Sequence, residues 1–130
     1  MALDDYVFDR CEDFHRTGTS VLKLETTDLA GELTLIEAAL ALGRTLEGIL
    51  IVRELVEETS PGQPHRLQYS YHFMYRDLFL FRYDRDPDNH PEMPEHKHLS
   101  PGERRVASGR VTFREVLEEV YDLIGELEAE

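Results

Sequence analysis

Histidines that could transfer protons or bind a metal are concentrated in one short segment. His90, His96 and His98 fall within nine residues, and residues 86–94, which overlap this stretch, hold three prolines. His96 and His98 form a His-x-His pair, a recurrent metal-ligand spacing because alternate residues of an extended chain face the same way. One hypothesis is therefore a divalent ion, Zn²⁺ or Mn²⁺, held by His90, His96 and His98, to which Asp84, Asp86 or Asp88 could add an oxygen ligand.

Two other interpretations of this segment stay open. In one, it is a solvated polar loop whose histidines satisfy backbone groups. In the other, it performs metal-free acid–base chemistry, because histidine titrates nearest neutrality and an arginine can stabilise developing negative charge. Arg82 is then the candidate that holds a phosphate or carboxylate, since a guanidinium binds an oxyanion bidentately. Asp84 would orient Arg82 or a histidine, and His96 or His98 would carry the proton.

The strands that position these side chains show a strict alternation. Residues 67–73 and 79–83 place apolar or aromatic side chains at every odd position, which is typical of half-buried strands. Both strands bury their odd face, so residues that oppose each other share parity. The expected buried aromatic residues are Tyr69, Tyr71, Phe73, Phe79, Phe81 and Tyr83.

The same parity argument predicts the connection between these two strands. Arg76-Asp77 lacks the Asn-Gly chemistry of tight hairpins, so we expect a three-residue link over 75–77, or a bulge of the same effect. In the resulting register His72 opposes Leu80 and Ser70 opposes Arg82. His72, Arg82 and Asp84 would then share one polar sheet face, covered by a loop formed by residues 86–100.

The rest of the chain predicts two terminal helices and further strands. The first helix takes Asp4 as N-cap, a Leu3–Phe8 hydrophobic staple and Gly18 as its stop. The last begins at a Thr112-x-x-Glu115 capping box. Between them, residues 20–26 and 49–52 indicate strands, whereas 32–42 suits a strand or a helix equally. Glu54 is assigned to the outward face of its strand, with a partly buried carboxylate as the alternative.

Length and charge restrict the protein class. The 130 residues suffice for one domain, so residues 1–130 are predicted to be a single domain. The net charge of −13 argues against a generally basic nucleic-acid binder. Residues 82–110, with six cations and six acidic residues, form a neutral segment inside this acidic protein. No apolar stretch approaches the roughly 20 residues of a membrane span, and we expect a cytoplasmic protein.

Four short motifs resemble the TumE-like family, which is regarded as the toxin half of a toxin–antitoxin module. They begin at Tyr69, Phe81, His90 and Pro94, and read Tyr-Ser-Tyr-His, Phe-Arg-Tyr-Asp, His-Pro-Glu and Pro-Glu-His-Lys-His. Where family members often pair histidines, this chain has Asn89-His90 and Glu95-His96. The resemblance favours a strand for residues 32–42.

The combined prediction is an α+β fold: an antiparallel meander of about five strands, with the N- and C-terminal helices packed on one face. The resemblance implies a toxin with a cognate antitoxin as partner. Action on RNA or nucleotides, with ribonuclease-like activity as one hypothesis, is an analogy with other small toxins. RNA and a second copy of the chain are further candidate partners. The candidate catalytic residues are His72, Arg82, Asp84, His96 and His98. The alternative function is a non-catalytic metal- or protein-binding module with a structural histidine loop.

Overall fold

A computed structural model describes residues 3–16, 19–30, 32–60, 62–100 and 104–129. The fold is α+β, with an antiparallel sheet whose seven strands follow one another in chain order. The helices are α1 (Leu3–Arg16) and α2 (Phe113–Glu128). The strands are β1 (Ser20–Leu29), β2 (Leu33–Leu42), β3 (Gly48–Ser60), β4 (Gln63–Tyr75), β5 (Leu78–Arg85), β6 (Glu95–Leu99) and β7 (Arg104–Ala107).

The number of strands exceeds the predicted five because the histidine segment is itself part of the sheet. The loop ends at Pro94, and β6 pairs along β5 while β7 pairs along β6. The prediction that 86–100 forms one loop is therefore wrong for His96 and His98, which lie on a strand. The sequence Glu-His-Lys-His-Leu of β6 lacks an apolar alternation, and its pairing depends instead on the unpaired backbone groups of β5.

Both helices pack on one face of the sheet, as predicted, and we call this the helix face. Phe14 of α1 meets Phe113 of α2 edge to face at 5.1 Å between ring centroids, and Phe113 also contacts Tyr71 of the sheet. The predicted capping box of α2 is present, with Thr112 and Glu115 bonding each other's backbone N–H groups. The apolar stripe of α2 is buried at Phe113, Val116, Leu117, Val120 and Ile124.

The hairpin from β4 to β5 confirms the parity argument but not the predicted partners. Arg76 and Asp77 form a two-residue turn, both with positive φ, at 52° and 64°. A bulge next to the turn restores same-parity pairing, so His72 opposes Arg82 rather than Leu80. Ser70 correspondingly opposes Asp84 rather than Arg82. Of the two predicted connections, the three-residue link over 75–77 is wrong and the bulge is confirmed, because the bulge corrects the register that a two-residue turn alone would give.

The bulge also overturns one predicted core position. Phe79 pairs with Met74 and lies against the His72 ring at 5.3 Å, on the face opposite the helices, which we call the open face. The other predicted core aromatic residues do face the helices: Tyr69, Tyr71, Phe73 and Phe81 are buried, and Tyr83 is half-buried beneath α2.

Of residues 32–42, Leu33–Leu42 form strand β2, as the family resemblance indicated. Ile36, Ala38 and Leu40 alternate into the core, and beyond Leu40 the strand is buried on both faces. The helix propensity of these residues is equally compatible with a helix, so the pairing of β2 with both β1 and β3 is what makes the segment a strand.

The N-terminal helix begins earlier than predicted. Leu3 is already helical, so Asp4 lies in the first turn rather than at the N-cap. Phe8 is 64 % exposed, and the predicted staple with Leu3 is wrong because Phe8 faces away from the sheet. The predicted stop at Gly18 lies outside the described residues. Neither helix of the described chain is long and apolar enough to cross a membrane.

Candidate functional site

Four strands place histidines and arginines in one row across the open face. His72 of β4 opposes Arg82 of β5, which opposes His98 of β6, which opposes Arg105 of β7. Directly opposed residues of antiparallel strands lie about 4.5–5.5 Å apart at Cα, so histidines and arginines alternate along the row. Arg82 therefore lies between two histidines.

Arg82, Asp84 and His98 contact one another directly. Arg82 Nε donates to Asp84 Oδ2 at 2.8 Å, and Arg82 Nη2 donates to His98 Nε2 at 3.1 Å. The same carboxylate oxygen lies 3.2 Å from His98 Nε2. A guanidinium can only donate and a carboxylate can only accept, so His98 Nε2 accepts from Arg82 in the tautomer protonated on Nδ1 and donates to Asp84 when Nε2 is protonated.

His96 is buried and contacts the same carboxylate, Asp84. Its side chain is fully buried, its Nδ1 donates to the Met93 carbonyl at 3.0 Å, and its Nε2 lies 3.5 Å from Asp84 Oδ2. A carbonyl can only accept, so Nδ1 carries a proton, and Nε2 is the ring nitrogen that faces Asp84. The 86–94 loop therefore does cover part of the open face, at His96.

His90 belongs to the edge of this arrangement. Its ring packs against His96 at 5.1 Å, and its Nδ1 accepts from Arg105 Nη1 at 3.0 Å. Within the described part of the chain, one group of three potential metal ligands converges, with ligand atoms within 4.8 Å: Asp84, His96 and His98. Of the three predicted ligands, two thus belong to the converging group, and Asp84 takes the third position.

A small cavity of about 110 Å³ adjoins the cluster on the open face. Asp84 and Ser70 belong to its wall, and Arg53, Arg85 and Asp86 add charge of both signs. Its Leu35 and Leu55 side chains provide an apolar floor. The cavity gives a substrate group room beside Asp84.

The helix face holds a second polar cluster, which the sequence analysis missed. Glu54 is fully buried, so its assignment to the outward strand face is wrong. Its Oε1 accepts from the Tyr6 hydroxyl at 2.8 Å and from Arg10 Nε at 3.3 Å, while the Tyr71 hydroxyl donates to Oε2. Arg66 Nη1 donates to the Tyr71 oxygen at 2.8 Å. We call this set the Glu54 cluster.

A sequence signal for the Glu54 cluster existed in α1. Tyr6, Arg10 and Phe14 are spaced four residues apart and so share one helix face, which is the buried face. Burial, and then the charge of Glu54, raises the pKa of Tyr6 to about 12. The same two causes raise the pKa of Tyr71 well above its usual value. Both hydroxyls therefore stay protonated and donate to Glu54.

Comparison with known protein families gives one match across most of the chain. A model of the family described as Toxin TumE matches residues 8–128. The comparisons with curated proteins and with solved structures give no match.

Proposed function

The chain belongs to the TumE toxin family, and we propose that it is the toxin of a toxin–antitoxin pair and cleaves RNA at Arg82, His98 and His72. The observation that carries the proposal is the row in which Arg82 lies between two histidines from neighbouring strands. A cation flanked by two proton-transfer groups suits a phosphodiester, whose reaction needs charge stabilisation, a base and an acid.

The proposed reaction is transfer of the phosphoryl group to the neighbouring 2′-oxygen. His98 Nε2, which carries a lone pair, accepts the 2′-hydroxyl proton as the 2′-oxygen bonds to phosphorus. The bond from phosphorus to the 5′-oxygen breaks, and a protonated His72 gives its proton to that leaving oxygen. Arg82 binds the non-bridging oxygens, whose negative charge grows in the transition state. The products are a 2′,3′-cyclic phosphate end and a free 5′-hydroxyl end.

Asp84 and His96 act in this proposal as positioning residues. Asp84 holds Arg82 through Nε, and with a side chain 31 % exposed Arg82 still reaches solvent. His96 is only 1 % exposed, so it cannot meet a substrate without movement and instead supports Asp84 from below. Between the two proton carriers considered in the sequence analysis, burial therefore favours His98 over His96.

The charge distribution supports an anionic substrate at this position. The whole −13 charge lies outside residues 82–110, and Arg105 adds a second guanidinium to the row. An RNA strand approaching the open face would meet cations at the site although the protein is acidic overall.

Expression without a cognate antitoxin tests the function. The parent protein should stop bacterial growth, and Arg82→Ala and His98→Ala should each abolish the effect while the melting temperature stays near that of the parent. His65→Ala and Arg104→Ala, on exposed residues away from the cluster, are matched controls and should remain toxic.

Purified protein should convert RNA into fragments with cyclic phosphate ends. Loss of a general acid or base typically costs about 10²–10⁴-fold in rate, so His98→Ala and His72→Ala should fall in that range. A harmless parent, or Arg82→Ala and His98→Ala variants as toxic as the parent, would overturn the catalytic proposal. The non-catalytic binding module would then be the better interpretation of the open face.

A further inference from the structure

Three acceptor atoms converge beneath Arg82. We propose that Asp84 Oδ2, His96 Nε2 and His98 Nε2 bind one divalent transition-metal ion, with Zn²⁺ as the reference ion. The proposal concerns the same cluster as the proposed function, and the two states exclude each other: a bound ion takes the His98 Nε2 lone pair that serves as the base, so the proposed reaction belongs to the metal-free form. It replaces His90 of the sequence hypothesis with Asp84.

The separations between the ligand atoms fit a metal centre. Bonds of about 2.0–2.1 Å in tetrahedral geometry place neighbouring ligand atoms about 3.4 Å apart. Asp84 Oδ2 lies 3.2 Å from His98 Nε2 and 3.5 Å from His96 Nε2. Two imidazoles and one carboxylate suit zinc and related divalent ions and leave a fourth position open.

The hydrogen bond from His96 Nδ1 to the Met93 carbonyl is a second, independent observation that supports the metal site. Metal-binding histidines characteristically donate their other ring N–H to a carbonyl or carboxylate, which orients the ring. His96 Nδ1 does so to the Met93 carbonyl, which turns Nε2 toward the Asp84 carboxylate. Acceptors that face each other in a buried position are stabilised when a cation lies between them.

Arg82 already provides a cation to two of the three acceptors, Asp84 and His98. A metal ion would therefore have to displace the guanidinium from both atoms. The displaced guanidinium would be free to bind a phosphate. Arg82 and the metal thus compete for Asp84 and His98, which gives the proposal a distinctive test.

The test is calorimetric titration of the full chain, without a histidine tag, with Zn²⁺, and with Co²⁺ followed by visible absorption. We expect one ion per chain. Asp84→Asn, His96→Ala and His98→Ala should each weaken binding by roughly 100-fold or more, beyond the 10- to 100-fold typical for loss of a supporting group. Arg82→Ala should tighten binding, because it removes the competing cation and no ligand. His90→Ala should change affinity less than about threefold, since its Nδ1 is bonded to Arg105.

Clear outcomes would overturn the metal proposal. One is a parent that binds neither ion saturably and melts at the same temperature with and without a chelator. Another is that His90→Ala abolishes binding while Asp84→Asn does not, which would restore the three-histidine set. Melting curves and a His98→Gln variant identify any loss that comes from unfolding.

Growth inhibition separates this proposal from the proposed function. A toxic parent that binds no metal would leave the metal-free reaction in place and refute the metal site. A harmless parent that binds Zn²⁺ at Asp84, His96 and His98 would refute the proposed function and support the metal site.

Discussion

Among single residues, Glu54 has the largest predicted effect on stability. Its carboxylate joins Tyr6 and Arg10 of α1 to Tyr71 of β4, inside the interface between helix and sheet. Glu54→Ala would leave Arg10 with Asp13, at 3.1 Å, as its counter-charge and would leave the buried Tyr71 hydroxyl without its acceptor. A buried polar group that loses its partner typically costs about 1–3 kcal/mol. We expect a loss of this size in the free energy of unfolding, measured with urea.

A matched substitution distinguishes this effect from the loss of a carboxylate in general. Glu25 is exposed on the edge strand, and its ion-pair partner within the described part of the chain is Lys23, at 3.8 Å. Glu25→Ala should change stability by no more than about 0.5 kcal/mol. A cost below about 1 kcal/mol for Glu54→Ala would contradict the importance of the Glu54 cluster.

At the level of elements, the β4–β5 turn retains strain that a substitution can remove. Asp77 has a φ of 64°, a region that costs a residue with a Cβ about 1 kcal/mol and costs glycine nothing comparable. Asp77→Gly should therefore stabilise the protein by up to about 1 kcal/mol, whereas Asp77→Ala should not stabilise it. Arg76 is left unchanged because it bonds Glu47. Thermal melting of both variants is the measurement, and equal melting temperatures would refute the argument.

The capping box of α2 gives a second prediction at this level. The Thr112 hydroxyl accepts from the Glu115 N–H at 3.1 Å, and the Glu115 carboxylate accepts from the Thr112 N–H at 3.0 Å. Thr112→Ala should cost about 1 kcal/mol, whereas Thr112→Ser keeps the acceptor and should cost much less. Urea unfolding that ranks the two variants equally would show that the cap contributes little.

For the whole molecule, the Glu54 cluster predicts loss of stability in alkali. The pKa of Tyr6 rises from 10.0 to about 12 on folding, so the native state holds the hydroxyl proton more tightly than the unfolded chain does. The stabilisation is complete below pH 10 and is lost as the pH rises toward 12. The pKa of Tyr71 is shifted in the same direction and adds to the effect.

Denaturation at a series of alkaline pH values tests this prediction. The parent should lose stability above pH 10 more steeply than Tyr6→Phe, which has no hydroxyl proton to lose at that position. Tyrosinate absorbance should show the highest titration step shrinking in the same variant. Tyr121→Phe, on an exposed residue, is the control and should leave the pH dependence of stability unchanged.

The sequence by itself determined the strands and helices whose side chains alternate or repeat in an unambiguous way. Strict parity in β4 and β5 places His72, Arg82 and Asp84 on one face, because successive strand residues point in opposite directions. The Thr112–Glu115 spacing likewise marks the start of α2, since both bonds of the box lie within one turn. The motifs around these strands were sufficient to indicate the toxin family.

Tertiary structure alone decided which of these residues meet. His96 and His98 lie in a stretch without apolar periodicity, and backbone pairing along the edge of β5 is what brings them to Asp84 and Arg82. A bulge shifts the partner of His72 from Leu80 to Arg82, an adjustment that residue types at the turn do not reveal. Glu54 is buried because α1 brings Tyr6 and Arg10 to it. Local sequence patterns encode the face of the strand or helix on which a side chain lies. Its partners come from strands and helices distant in sequence, and no local pattern specifies how those elements pack together.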